Sequence, residues 1–299
     1  MTQLGNGPLV AGSVGARRER LRSARLYLVT DDATPEADLP RLVQEAVAGG
    51  AEVVQLRRKA VAAKDLEAVA RRCCQAAHEQ GALFLVNDHP ELALRVGADG
   101  VHLGQEDLPP QAARELLGPE LLVGLSTHDR AQLARTVDQP VDYISAGPVR
   151  ETPSKPGRPA VGWEYVRLAA AHARVPVVAI GGLGPGMAAE ALRCGADLVG
   201  VVRAICSAVS PRGAAEELRA ELGAEAPWVW LQVNGSSRKA VPGETVSDLL
   251  ERLGVDSRAV VVELNLTILR GEQLRAQQLR EGDALEVVRF VGGGSQDGR

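Results

Sequence analysis

Two acids in the stretch LFLVNDHPELALRVGADGVHLGQED, residues 83–107, follow directly on short apolar runs. Asp88 comes after the run 83–86 and Asn87, and Asp107 after the run 100–103. Between the runs, Leu92, Leu94 and Val96 have helical spacing that closes on Gly97. Carboxylates at the C-terminal ends of neighbouring parallel strands suit a hard divalent ion. Such an ion keeps several waters and binds substrate phosphates, which is the behaviour of Mg2+. The plainer alternative is that Asp88 caps the intervening helix and Asp107 opens a turn.

Other polar residues stand at or just past the ends of apolar runs. They are Gln55, Arg57, Arg58 and Lys59 at the run 53–57, then His102 and Gln105, then Ser126, Thr127 and His128. A long Gly/Pro loop, 147–158, carries Thr152, Ser154 and Lys155, and Gly181-Gly182 and Val202-Arg203 end two further runs. A glycine pair and a backbone N–H cluster at the last two runs suit a phosphate. An acid pair, several cations and one such nest describe a ligand set with a diphosphate and a separate monophosphate. Taken singly, Arg57, Lys59 and Lys155 also read as solvated loop charges. Gly181-Gly182 also reads as a tight turn, and His102 and His128 as packing or orienting residues. No Ser/His/Asp or Cys/His nucleophile arrangement is evident.

The elements that position these residues repeat. Apolar runs at 26–30, 53–57, 83–87, 100–103, 122–126, 142–147, 177–181 and 198–202 alternate with amphipathic segments. That alternation marks βα units and a parallel sheet. Eight units without a GxGxxG after the first strand favour a (β/α)8 barrel over an open doubly wound sheet. Gly at the ends of helices, as in Gly97-Ala98-Asp99 and Gly195-Ala196-Asp197, supplies left-handed caps before the next strand.

At 299 residues the chain has room for a second domain, and its pattern changes after residue 222. Alternation at 228–233 ends in Asn234-Gly235, a hairpin turn. Residues 239–241 return, Thr245 caps a helix over 246–253, and 259–265 and 284–291 read as two more strands. Two strands, a helix and two strands read as a ubiquitin-like β-grasp unit, and the pattern alone equally suits any small α+β interaction module. The fold class is therefore α/β, with the barrel over 23–222, a linker at 223–227, the second domain over 228–294 and a tail at 295–299. Residues 1–22 are expected as a disordered lead-in, with the Arg17–Arg20 charges solvated.

Composition narrows the function. The chain is 45% hydrophobic and 24% charged, with a formal net charge of -4. A mildly acidic total argues against nucleic acid as main partner. No run reaches the length of a membrane span, and no apolar segment marks a signal peptide. Four cysteines without metal-ligand spacing suit reduced thiols in a cytoplasmic protein. Self-association is left open.

The strand-end motifs together resemble thiamine phosphate synthase. They are Gln55-Leu56-Arg57-Arg58-Lys59, Val86-Asn87-Asp88, His102 through Asp107, Gly124-Leu125-Ser126-Thr127-His128, Gly147-Pro148-Val149 through Thr152, Ser154 and Lys155, and Ile180-Gly181-Gly182. The resemblance covers about residues 25–222. It implies a barrel that joins a hydroxymethylpyrimidine diphosphate to a thiazole phosphate and releases diphosphate. It also implies Mg2+ on Asp88 and Asp107, and diphosphate on Arg57, Lys59, Asn87 and Lys155. The pyrimidine would lie on Gln55 and Ser126. The thiazole phosphate would lie on Thr152, Ser154, Gly181, Gly182 and the backbone at Val202 and Arg203. Arg57, Lys59, Ser126 and Lys155 are the implied catalytic contacts. One position departs: Arg150-Glu151 stands where the family more often has an aromatic and a small residue or Pro.

The second domain resembles the sulfur carrier of thiazole biosynthesis through Asn234-Gly235, Gly243-Glu244-Thr245-Val246, Asn265, Glu281-Gly282-Asp283 and Phe290-Val291-Gly292-Gly293. That resemblance implies a carrier terminus at Gly293 and Gly294, with the carrier-adenylating enzyme and thiazole synthase as partners. Ser295 follows Gly294, so carrier chemistry is expected to need removal of residues 295–299. Two other readings compete. A thiazole tautomerase would use a base such as His128 without the metal pair, and Glu151-Thr152 lends it support. A non-catalytic scaffold would use the barrel only to dock the second domain.

Overall fold

Continuous apolar runs with no alternation are what strands covered on both faces require. In the computed structural model they form eight parallel strands: β1 (Leu26–Val29), β2 (Val53–Leu56), β3 (Leu83–Asn87), β4 (Gly100–Leu103), β5 (Leu122–Thr127), β6 (Tyr143–Ala146), β7 (Val177–Ile180) and β8 (Leu198–Val201). They close into a barrel in sequence order, and β8 returns to β1 with Gly200 opposite Tyr27. The structure describes residues 14–59, 61–152, 157–223 and 228–289. The chain divides into two compact units, residues 1–224 and 225–299.

The helices of the first unit are α1 (Val14–Ser23), α2 (Leu39–Ala48), α3 (Ala63–His78), α4 (Pro90–Val96), α5 (Pro110–Leu117), α6 (Arg130–Arg135), α7 (Gly162–His172), α8 (Ala188–Arg193), α9 (Arg203–Cys206) and α10 (Pro211–Leu222). Their apolar faces meet the outside of the barrel in one core, for example Leu42, Val69, Cys73 and Leu218. The lumen has its own core, with Tyr27, Val53, Leu83, Leu85, Tyr143 and Val178.

Helix α1 corrects the expected lead-in over its part from residue 14. Its Leu21 is 1% exposed and joins the lumen core beside Ala24. Its arginines are also not merely solvated. Arg17 Nε lies 2.9 Å from Asp99 Oδ1, and Arg18 Nε lies 2.6 Å from Asp142 Oδ1. These acids precede β4 and β6 and also accept strand N–H groups, from Phe84 at 2.9 Å and Val123 at 2.8 Å. Asp197 does the same for Val177 at 2.8 Å. The helix thus covers the end of the barrel where strands begin, leaving the other end for chemistry. A sequence rich in arginine hides this role because the partner acids are far along the chain.

The second unit contains β9 (Val229–Val233), β10 (Ser236–Ala240), α11 (Val246–Arg252), β11 (Val260–Leu264), β12 (Thr267–Leu269), α12 (Glu272–Ala276) and β13 (Ala284–Arg289). The sheet order is β10-β9-β13-β11-β12, with β9 and β13 parallel at its centre. Thr245 and Asp248 make the reciprocal cap of α11, and Leu249, Leu250, Val262 and Leu285 form the core. Strand β12 and helix α12 were not expected. The β11–β12 turn uses Asn265 at φ 48° and Leu266 at φ 67°, and a leucine in that conformation gives no sequence signal of a hairpin. Gly293 and Gly294 lie outside the described residues. Among the described residues no helix is long and apolar enough to cross a membrane.

Candidate active site

The C-terminal ends of the strands surround one cavity of about 500 Å3. Of the sequence-derived residues, Gln55, Arg57, Lys59, Asn87, Asp88, Asp107, Ser126, Thr152, Gly181, Gly182, Val202 and Arg203 all line it. Ser154 and Lys155 lie outside the described residues.

Asp88 follows β3 with φ 63°, a left-handed conformation in which Asp is one of the few residues found regularly. Its N–H donates to His102 O at 2.9 Å, tying the end of β3 to β4. Asp88 is not a helix cap, because His89 holds the N-cap position of α4 and makes no side-chain cap bond. Asp107 Oδ2 accepts the Gly104 N–H at 2.7 Å, which folds the loop after β4 back toward Asp88. The two carboxyl groups are close enough for each to affect the ionisation of the other. Burial, then the nearby Asp107, raises the Asp88 pKa, while Lys59 works against that rise. At Asp107 burial opposes ionisation, but the neighbouring Asp88, the Gly104 N–H and the charge on Lys59 hold its pKa below the usual value.

This pair is the place where a cation fits. Two neighbouring hard oxygen donors repel when both ionise, and a divalent ion relieves that repulsion. Among the described residues no group of three or more His, Cys, Asp or Glu is placed to hold a metal ion. A two-carboxylate set leaves positions for water and substrate phosphate, as Mg2+ requires.

The basic side chains are held from β1 and β2. Arg57 Nη1 lies 3.1 Å from Asp32 Oδ2, and Lys59 Nζ lies 3.2 Å from Asp88 Oδ2. Asp32 Oδ1 also accepts the Lys59 backbone N–H at 2.9 Å. Thr30 Oγ1 accepts the Arg57 N–H at 2.9 Å. Arg58 turns away from the cavity and donates to the carbonyls of Asp31, Asp32 and Thr34. No site residue was expected at strand one. Asp31 and Asp32 directly after its run were the available signal.

Across the cavity, Gly181 and Gly182 follow β7 at φ 104° and 69°. A side chain on Gly181 would place Cβ 2.4 Å from Pro148, so glycine is required where the two loops touch. The Gly147-Pro148 peptide is cis. Val149 N–H donates to Ile180 O at 2.9 Å and Arg150 N–H to Gly181 O at 3.0 Å. The departure at Arg150-Glu151 therefore leaves this backbone docking in place, with both side chains exposed. His128 Nδ1 is hydrogen-bonded to Gly147 O, which makes it an orienting residue for the same loop.

The chain's likeness to known proteins follows the same division. The thiamine monophosphate synthase family matches residues 26–205 and the ThiS family residues 231–294. Thiamine-phosphate synthase of Mycolicibacterium smegmatis is 44% identical over 217 residues, 69% of this chain and 95% of that protein. The protein of that name in Thermobifida fusca is 46% identical over 212 residues, 70% of this chain and 97% of its own length. The solved thiamine phosphate pyrophosphorylase from Pyrococcus furiosus superposes with a TM-score of 0.62 at 35% identity, covering 68% of this chain and 97% of that one. With a barrel, a rim and a sequence that agree, the chain belongs to the thiamine monophosphate synthase family and carries a ThiS-family domain after its barrel.

Proposed function

We propose that the barrel joins 4-amino-2-methyl-5-hydroxymethylpyrimidine diphosphate to a thiazole phosphate, giving thiamine phosphate and diphosphate. The observation that carries this reading is the neighbouring acids Asp88 and Asp107 beside Lys59 and Arg57, opposite the Gly181-Gly182 turn in one cavity. The C–O bond from the pyrimidine methylene to the diphosphate breaks, and its electron pair leaves with the diphosphate. The thiazole nitrogen lone pair then makes the new C–N bond. The aminopyrimidine ring stabilises the positive charge on the methylene, so no protein nucleophile is used.

Asp88 and Asp107 would hold Mg2+, which would supply charge neutralisation on the departing diphosphate. Arg57, Lys59, Asn87 and, from the loop after β6, Lys155 donate to the same oxygens. Gln55 and Ser126 hold the pyrimidine. Thr152, Ser154, Gly181, Gly182 and the backbone at Val202 and Arg203 hold the thiazole phosphate, which aligns the attacking nitrogen. The acid pair counts against the tautomerase alternative, which has no use for it.

The catalytic domain spans residues 23–222, and residues 228–294 serve as a cytoplasmic sulfur carrier for the thiazole. Its partners are a carrier-adenylating enzyme and thiazole synthase, once Gly293 or Gly294 is exposed as the terminus. Calorimetry with each substrate tests the barrel reading. Pyrimidine diphosphate should bind with Mg2+ and weaken strongly in EDTA, while thiazole phosphate affinity should be insensitive to EDTA. Metal-insensitive binding of the diphosphate, or no binding of either compound, would refute it.

A further inference from the structure

Below the rim, five polar side chains form a line through the lumen. Gln55 Nε2 donates to Tyr27 Oη at 2.9 Å, and the Tyr27 and Tyr143 hydroxyls are 2.9 Å apart. Tyr143 Oη lies 2.9 Å from His102 Nδ1, and His102 Nε2 lies 3.0 Å from Ser126 Oγ. All five residues are buried, from Tyr143 at 0% to His102 at 8% exposure. Gln55, Tyr27, His102 and Ser126 also border the cavity. The line is built into the barrel. Gly124 on β5 pairs with Tyr143 on β6, and a Cβ at Gly124 would fall 2.1 Å from the Tyr143 ring.

The chemistry of the members gives the line a direction. An amide NH2 only donates, so Tyr27 Oη accepts from Gln55 and its own proton goes to Tyr143 Oη. Tyr143 then gives its proton to His102 Nδ1. Burial raises the pKa of both phenols, so each keeps the proton that it passes along. An imidazole that accepts at Nδ1 carries its proton on Nε2, which donates to Ser126 Oγ. Ser145 Oγ also donates to Ser126 Oγ, at 3.5 Å. Ser126 therefore has its own hydroxyl proton left for the cavity. At the other end, the bond from Nε2 to Tyr27 fixes which way the Gln55 amide faces and leaves Oε1 as its acceptor.

We propose that Tyr27, Tyr143 and His102 are positioning residues that fix Gln55 as an acceptor and Ser126 as a donor toward the aminopyrimidine. This rests on the function proposed above. An exocyclic amine donates and a ring nitrogen accepts, so the pattern complements that ring. A free amide could turn over and a free hydroxyl could rotate. The chain removes both freedoms, because reversing one end would require reversing every bond along it.

Nitrogen NMR of the full chain, with His102 assigned through His102→Asn, reads the direction without turnover. The wild type should show a neutral His102 with its proton on Nε2. A proton on Nδ1, or an imidazolium, would overturn the proposal. Tyr143→Phe keeps the ring that Gly124 accommodates and removes only the hydroxyl. It should shift both His102 nitrogens and raise KM for the pyrimidine diphosphate about 5- to 100-fold, as loss of a buried hydrogen-bond partner does. KM for the thiazole phosphate should stay within about twofold, a split that general loosening of the barrel would not produce. Tyr27→Phe should act in the same direction. Tyr165→Phe, which removes a hydroxyl bonded to Asp129 O, should leave the His102 signals and both KM values in place. Unchanged His102 signals or an unchanged pyrimidine KM in Tyr143→Phe would overturn the relay alone. A wild type that holds the expected tautomer but binds no pyrimidine diphosphate would overturn the proposed function and the ligand named here.

Discussion

Lys59 Nζ stands 3.2 Å from Asp88 Oδ2, on a carboxyl group whose ionisation is also opposed by the neighbouring Asp107. One half-exposed ammonium thus compensates an acid that has a second acid beside it. A divalent ion on the pair would take over that compensation and release Lys59 toward a substrate phosphate. On the proposed function, the metal site and the cation for the leaving group would thus be coupled through Asp88.

Asp88→Ala and Asp107→Ala should each lower turnover by about 100-fold or more, the scale of losing a metal that stabilises several kcal/mol of charge in the transition state. EDTA should abolish wild-type activity and added Mg2+ should restore it. Steady-state rates with and without chelator check both, and an EDTA-resistant enzyme would remove the metal from the account.

Lys59→Ala removes a charge-assisted contact of about 1.5–3 kcal/mol, so kcat/KM for the pyrimidine diphosphate should fall about 10- to 150-fold. Thiazole phosphate affinity should be unaffected. If the loss falls on thiazole phosphate instead, Lys59 serves the other substrate.

Much of this geometry is written in the sequence, for identifiable reasons. Buried parallel strands must be apolar throughout, so each of the eight runs marks its strand to within a residue or two. Cavity-lining groups in a barrel stand at strand ends, so the places of Arg57, Asp88 and Ser126 around the cavity could be read from the ends of those runs. What stayed hidden depends on distant partners. Tyr27 and Tyr143 sit inside apolar runs and pass for ordinary core, and only the closed barrel brings their hydroxyls together. Asp32 gains its role from Arg57 across the sheet. Helix α1 looked solvated because Asp99 and Asp142 lie far along the chain.

The role of α1 is itself testable. Leu21→Ala should destabilise the barrel by about 2–5 kcal/mol, the usual cost of emptying a buried leucine site. Leu21 is 1% exposed, whereas a solvated lead-in would give a change near zero. Urea unfolding of the two proteins separates the outcomes.

His78 and Asp99 give stability a pH signature. The hydrogen bond to Asp99, with a further one to Cys74, raises His78 from 6.5 to about 10. Burial opposes ionisation of Asp99, but the bonds from His78, the Phe84 N–H and Arg17 hold its pKa below 3.8. The imidazole contribution is complete below pH 6.5 and is lost as pH rises through about 10. The carboxylate contribution is present above 3.8 and is lost as pH falls below it. His78→Ala should therefore cost most near pH 5–6, about 1–2 kcal/mol for a half-exposed imidazole, and progressively less toward pH 10. A cost that does not change with pH between 6 and 10 would contradict the pairing.

The most direct test of the central claim is a product balance. Purified full-length protein is incubated with the pyrimidine diphosphate, the thiazole phosphate and Mg2+, and thiamine phosphate and diphosphate are both quantified. The two products should form in equal amounts, with none when either substrate or Mg2+ is withheld and none from a variant carrying both Asp88→Ala and Asp107→Ala. Diphosphate released without thiamine phosphate, or rearranged thiazole phosphate as the sole product, would contradict it.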